Sequence, residues 1–112
     1  MRIAFPTEDK DLKGKITFHF GRAKNFLIYD TKKEDFEIYQ NPESKGETIL
    51  PPDFLRNLKV DVVICFSLGS RAFNLFKKYG IEVKKAIEEE IEENLNRFRE
   101  RKLNDLKEKD IV

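Results

Sequence analysis

With 112 residues the chain can build one hydrophobic core but not two lobes around a cleft, so a single domain over residues 1–112 is expected. Its 22 Lys and Arg balance 21 Asp and Glu, which removes the electrostatic case for sequence-independent nucleic-acid binding. No stretch approaches the ~20 apolar residues of a membrane span and MRIAFPTEDKD has no apolar leader segment, so a soluble cytoplasmic protein is expected.

Short apolar runs alternate with helix-period segments, without repeats or low-complexity linkers. RIAFP reads as a first strand ended by Pro6. TEDKDLKGK is charged and aperiodic, a loop leading into ITFHFGR. NFLIYD and DFEIYQN flank the polar TKKE as a hairpin. The first arm is continuously apolar, as in a strand covered on both faces, while Phe36 and Ile38 in the second alternate with polar residues, as at a sheet edge. NPESKGET carries turn chemistry. Pro51 and Pro52 can open a helix but not sit inside one, so a short helix is predicted over 51–58, with Phe54, Leu55 and Leu58 as its apolar face.

VDVVICF is the strongest strand signal, β-branched and uncharged after Asp61. It ends at SLGSR, after which Ala72, Phe73, Leu75, Phe76 and Tyr79 follow helical spacing up to Gly80, a C-terminal stop. IEVK is a short last strand. Ile87, Ile91, Leu95, Phe98 and Leu106 then predict one amphipathic helix over 86–109, about 36 Å long. Its acidic start and basic remainder complement the helix dipole, and its last turns could reach a second copy of the chain. The 38% charged content, rich in Lys and Glu and without Trp, resembles hyperthermophile composition.

This order implies an α/β domain with a mixed sheet of about five strands and helices on both faces. Such sheets bind ligands where strands exit toward helices. Two loops qualify, the one that leads from the first strand to His19 and SLGSR after the central strand, and they share a rim if those strands are neighbours. The SLGS segment lacks the Lys-Ser/Thr ending of a phosphate-binding loop, which excludes an NTPase of that type.

MRIAFPTE, HFGRAKNFLIYD, Asn41-Pro42 and VDVVICFSLGSRAFNLFKKYGIEV together resemble the dinitrogenase iron-molybdenum cofactor biosynthesis family over roughly residues 1–95. The most specific pieces are His19-Phe20-Gly21-Arg22 before an apolar strand, and Gly69-x-Arg71-Ala72-Phe73 opening a helix that closes at Gly80. The resemblance implies a ribonuclease H-like fold and a non-catalytic protein that carries an iron-sulfur or molybdenum-iron-sulfur cluster, the iron-molybdenum cofactor or a precursor, with cluster-assembly proteins as partners. Where the family commonly has Gly-Gly ahead of the Gly-x-Arg-Ala segment, this chain has Phe66 and Ser67.

Within that resemblance His19 is the candidate ligand, since neutral imidazole suits borderline metals, with Gly21 beside it permitting tight backbone geometry. The alternative is a half-buried strand histidine bonded to a loop. Arg22 and Arg71 would hold an anionic cluster through charge-assisted hydrogen bonds, helped by free N–H groups at Ser70 and Arg71; surface ion pairs are the alternative for each. Gly69 is expected to serve the strand-to-helix turn. Cys65 could offer a thiolate but falls inside the central strand, as a buried thiol would, and as a lone cysteine it excludes an internal disulfide or a zinc site of paired cysteines. Two competing functions are an interaction module that self-associates through the long helix, and a ribonuclease H-like nuclease. The nuclease would need carboxylates clustered from the first strand, and Arg2, Ile3, Ala4 and Phe5 supply none.

Overall fold

Five strands and three α-helices follow the predicted order in a computed structural model that describes residues 1–112. They are β1 (Arg2–Thr7), β2 (Asn25–Asp30), β3 (Asp35–Gln40), α1 (Pro51–Asn57), β4 (Val62–Cys65), α2 (Ser70–Tyr79), β5 (Glu82–Lys85) and α3 (Ile91–Arg99). The sheet order is β3-β2-β1-β4-β5; β1, β2 and β3 pair antiparallel, whereas β4 runs parallel to both β1 and β5. β4 is buried throughout, as a β-branched run in a sheet centre should be, and the alternating β3 is an edge. Gly80 ends α2 at φ 71°, the left-handed conformation glycine adopts without a Cβ penalty.

Strand periodicity divides the core in two. Ala4, Val63 and Cys65 face α1 and α2, where Leu55 and Phe76 cover them. Ile3, Phe5, Val62 and Ile64 face α3, which contributes Ile91 and Leu95. The helices thus lie on both faces. β1 runs one residue past its predicted end, through Pro6 to Thr7. Proline is tolerated because the β1–β4 ladder consists of Ile3 with Val62 and Ala4 with Val63, so the missing N–H deprives β4 of no partner.

The helix expected over 86–109 is a misreading: only nine of those residues, Ile91–Arg99, are α-helical, and a separate 3-10 turn spans Glu108–Asp110. At the start of α3 the side chain of the buried Asn94 replaces a helical turn. Asn94 Oδ1 accepts the N–H groups of Ile87 (3.0 Å) and Glu88 (3.1 Å), while Nδ2 donates to the carbonyls of Glu88 and Glu90, both at 2.8 Å. The first N–H groups of α3 donate to the loop after β1, Ile91 to Gly14 O and Glu92 to Leu12 O. At its other end the backbone turns at Arg101, with φ 58°.

Beyond that turn the chain runs extended beside β5. Lys85 N–H donates to Asn104 O (2.8 Å) and Leu106 N–H to Val83 O (2.9 Å). Leu103 enters the α3-side core and Leu106 the opposite one. Residues three apart share one face of a helix, so no helix could deliver these two leucines to cores on opposite sides of the sheet; an extended segment crossing the sheet edge can. Of the apolar stripe expected to drive self-association, Ile91, Leu95 and Leu106 are buried, Phe98 is half-buried and only Ile87 is exposed, so the stripe offers no continuous face to a second copy.

Replacing Asn94 by Ala leaves two donors and two acceptors without partners and is expected to cost about 3 kcal/mol, measured by urea unfolding. The C-terminal segment carries a pH signature. The Asp110 carboxylate is held below the ordinary range, chiefly by its hydrogen bond from Lys85 Nζ and secondly by the Lys107 N–H. A depressed folded-state value gives stability that is present above the unfolded value of ~3.9 and is lost as pH falls through the folded value. Amide shifts of residues 107–112 should therefore be native at neutral pH and move toward random coil below about pH 4.

Candidate functional site

The parallel β1–β4 pairing brings two loops, residues 8–24 and 66–69, to one rim of the sheet. Phe20 anchors the first. It is 2% exposed, its ring 5.2 Å from Phe26 and edge-on to Phe76 at 5.5 Å. With Phe20 pulled inward, the tight turn Phe20–Arg22 leaves its neighbours His19, Gly21 and Arg22 exposed. His19 is therefore neither a half-buried strand residue nor packed away among phenylalanines.

Clamps hold that turn from two directions. The fully buried Asn41 donates from Nδ2 to Ala23 O (2.8 Å) and accepts the Glu43 N–H at Oδ1 (3.0 Å). The Glu8 carboxylate accepts the Lys24 N–H at 2.7 Å and the Thr17 hydroxyl at 3.2 Å. On the β4 side, Ser67 Oγ donates to Phe18 O (2.7 Å), Ser67 and His19 form a parallel bridge, and the Phe66 ring stacks on Phe18 with centroids 6.2 Å apart. The Phe66-Ser67 pair that departs from the family's Gly-Gly thus fastens the histidine loop.

Two hollows open along the rim. One, of about 360 Å³, is lined by His19, Phe20, Gly21, Arg22, Leu68, Gly69 and Val112. The other, of about 270 Å³, shares Phe20, Gly21 and Gly69 and adds Arg71, Ala72, Glu43, Leu75 and the apolar surfaces of Leu50, Pro51 and Pro52. Neither Phe66 nor Ser67 lines either one, so the bulk introduced there does not obstruct them. Ser70 is exposed but lines neither hollow.

Both glycines require a correction. Gly69 has ordinary extended backbone (φ −74°, ψ 158°), and Gly21 is not in the left-handed region. A Cβ at Gly69 would meet nothing within 4 Å, and at Gly21 only Glu43 Oε2 at 3.7 Å. Neither is demanded by the turn; what both do is leave the shared wall of the hollows without side chains.

The arginines differ from most others in the chain. Arg2 and Arg97 meet carboxylates, Arg56 lies over the Tyr79 ring, and Arg99 donates to Tyr29 Oη. Arg22 and Arg71 are exposed and form no ion pair or side-chain hydrogen bond, which removes the surface-ion-pair explanation for both. Gly69, the cap residue of α2, supplies no side-chain acceptor and the first turn holds no acid, so the positive helix end beside Arg71 is not neutralised locally. Cys65 sits elsewhere, in the α1–α2 core; burial pushes its thiol up, away from the thiolate a metal needs. No group of three or more His, Cys, Asp or Glu side chains is placed to hold a metal ion. His19 is a solitary donor among cations.

Sequence reasoning missed Leu68 and Val112 as lining residues and Asn41 as the loop clamp. The Asn41-Pro42 turn signal was visible, but its buried hydrogen bonds to a loop 18 residues away were not. Val112 carried no local signal.

Fold and rim define a small α/β domain with an open, cation-bordered hollow at its strand exits. The family described as dinitrogenase iron-molybdenum cofactor matches residues 1–101, and the chain belongs to it. An uncharacterised protein of Methanocaldococcus jannaschii is 29% identical over 109 residues, 92% of this chain and 89% of that protein. In fold the chain is similar to the apo orange protein of Desulfovibrio gigas, with TM-score 0.83 and 24% identity over 94% of this chain and 92% of that one. It is also similar to a Thermotoga protein provisionally described as a NifB protein, with TM-score 0.78 and 27% identity over 94% and 92% of the two chains.

Substituting Ser67 by Ala is expected to lower stability by about 1 kcal/mol and to speed hydrogen exchange in residues 18–22, because the Phe18 carbonyl loses its donor. Loss of stability without faster exchange in that loop would refute the clamp.

Proposed function

We propose that the protein is a non-catalytic carrier of a metal-sulfur cluster, the iron-molybdenum cofactor or an iron-sulfur or molybdenum-iron-sulfur precursor. His19 is its imidazole ligand, Arg22 and Arg71 are the cations that hold it, and Gly21 and Gly69 form the bare wall against which it rests. The observation that carries this is an unpartnered arginine in each of two neighbouring hollows that share a glycine wall, Arg22 beside the chain's only histidine in one and Arg71 in the other. Family membership supports the choice of cargo, as does the NifB description of the Thermotoga relative.

The chemistry suits carriage. An anionic cluster accepts charge-assisted hydrogen bonds at its sulfur atoms, and two unpaired guanidiniums plus the positive end of α2 offer them; the Glu43 carboxylate on the wall of the Arg71 hollow opposes them, which favours the His19 side for the cluster. One protein ligand holds a cluster while leaving its other metals accessible, which favours hand-over to a recipient; cluster-assembly proteins are the natural donors and recipients. The strand order β3-β2-β1-β4-β5 is compatible with the ribonuclease H-like label. Nuclease chemistry is disfavoured because β1 bears no carboxylate.

Anaerobic titration of the metal-free protein with isolated iron-molybdenum cofactor tests this. About one cluster per chain is expected, with His19→Ala weakening uptake about tenfold or more, and Arg22→Ala combined with Arg71→Ala weakening it comparably and reducing its salt dependence. If the intact chain takes up no cluster, the proposal falls; if His19→Ala binds as tightly as the native protein, the ligand assignment falls. Gly69→Ala should change stability by no more than about 0.5 kcal/mol while impairing uptake, since its methyl group enters open space in the hollow.

A further inference from the structure

The segment after α3 takes part in the site as well as in the fold. Residues 102–112 lie past the part of the chain that the family matches. They run along β5, then cross the strand-exit rim to reach the His19 hollow. Ile111 pairs in parallel with Leu68, Val112 N–H donates to Leu68 O at 2.9 Å, and Val112 lines the same hollow as Gly21 and Gly69. Leu68, which receives the tail, is itself a lining residue.

The attachment is graded along its length. Leu103 and Leu106 are buried and tie the near part firmly. From Lys107 onward no residue is fully buried, and the far part is held by the backbone bond to Leu68 and by the Asp110 carboxylate on Lys85 Nζ at the end of β5. A segment fixed at one end and held at the other by one ion pair and few backbone bonds opens locally at far lower cost than the domain unfolds.

We propose that residues 107–112 are a strap over the cluster hollow, latched by Asp110 on Lys85, and that strap docking and hollow occupancy stabilise each other. Val112 forms a wall only when the strap is down, so a guest touching that wall favours the docked state. By linkage the docked strap tightens the guest's binding by the same free energy. The inference relies on the carrier proposal for the nature of the guest, but not for the strap's docking on Leu68 at the hollow that His19 also lines.

That independence sets the test. The Val112 N–H donates to Leu68 O only when the strap is docked, so its hydrogen-exchange rate in the full chain, without any cluster, reports strap opening directly. Asp110→Asn and Lys85→Gln, which remove the latch from either side, are each expected to raise the rate about threefold or more, whereas Lys109→Gln, at an exposed neighbouring cation, should leave it unchanged. Unchanged rates in both latch variants, or an equal rise in the Lys109 control, would overturn the strap whether or not the protein takes up cluster. Binding of isolated iron-molybdenum cofactor to the native chain should slow amide exchange at Val112 about tenfold; unchanged exchange in loaded protein would overturn the coupling.

Discussion

The parallel pairing of β1 with β4, through Ile3 with Val62 and Ala4 with Val63, decides where the chemistry of this molecule can be placed. Parallel neighbours end at the same side of a sheet, so the loops that follow them must leave from one rim. The ladder is only two pairs long, and Pro6 lies just beyond it. The space that the diverging strands leave is occupied by the returning loop, which bonds Thr17 N–H to Pro6 O and bridges His19 to Ser67. His19 and Arg71, 52 positions apart in the chain, reach neighbouring hollows for that reason.

The rim pairs rigidity with unsatisfied charge. Buried groups there are fully partnered: no buried side-chain nitrogen or oxygen in the chain lacks a hydrogen bond. Phe20 fills the core below the turn, and Asn41, Glu8 and Ser67 fix the backbone around it. The groups that point outward from this fixed frame are the ones without partners. Leaving Arg22 and Arg71 unpaired in water costs little stability, because an exposed ion pair contributes little; it leaves both ready to accept an anion without first breaking a competing bond. Bare backbone at Gly21 and Gly69 provides the room.

The C-terminal segment shows how one sheet edge shapes distant parts of the chain. An unpaired β5 would expose a row of backbone donors and acceptors, and the extended stretch around Asn104 and Leu106 covers it. Covering the edge carries Leu103 and Leu106 to opposite cores and directs Ile111 and Val112 onto Leu68 and the His19 hollow. An edge-covering device therefore also supplies a wall of the site. The ion pairs of Lys84 with Asp105 and Lys85 with Asp110 fix its course, and only the second lies beyond the buried leucines.

The order of strands and helices, the buried centre at β4, the edge character of β3 and the stop at Gly80 were legible in the sequence, because periodicity, β-branching and glycine act over a few residues. So were His19, Arg22 and Arg71 as candidates, through their motifs. The course of residues 100–112 was not: Leu106 fits a helical stripe continued from Phe98, and only the existence of two cores on opposite faces of the sheet makes an extended crossing the better burial for Leu103 and Leu106. Nor could the chain alone show that Gly21 and Gly69 serve space rather than backbone conformation, that Phe66 and Ser67 clamp a loop, or that Val112 shares a hollow with His19. Those depend on which segments are neighbours in space, and that is set by long-range strand pairing and core burial rather than by local residue preference.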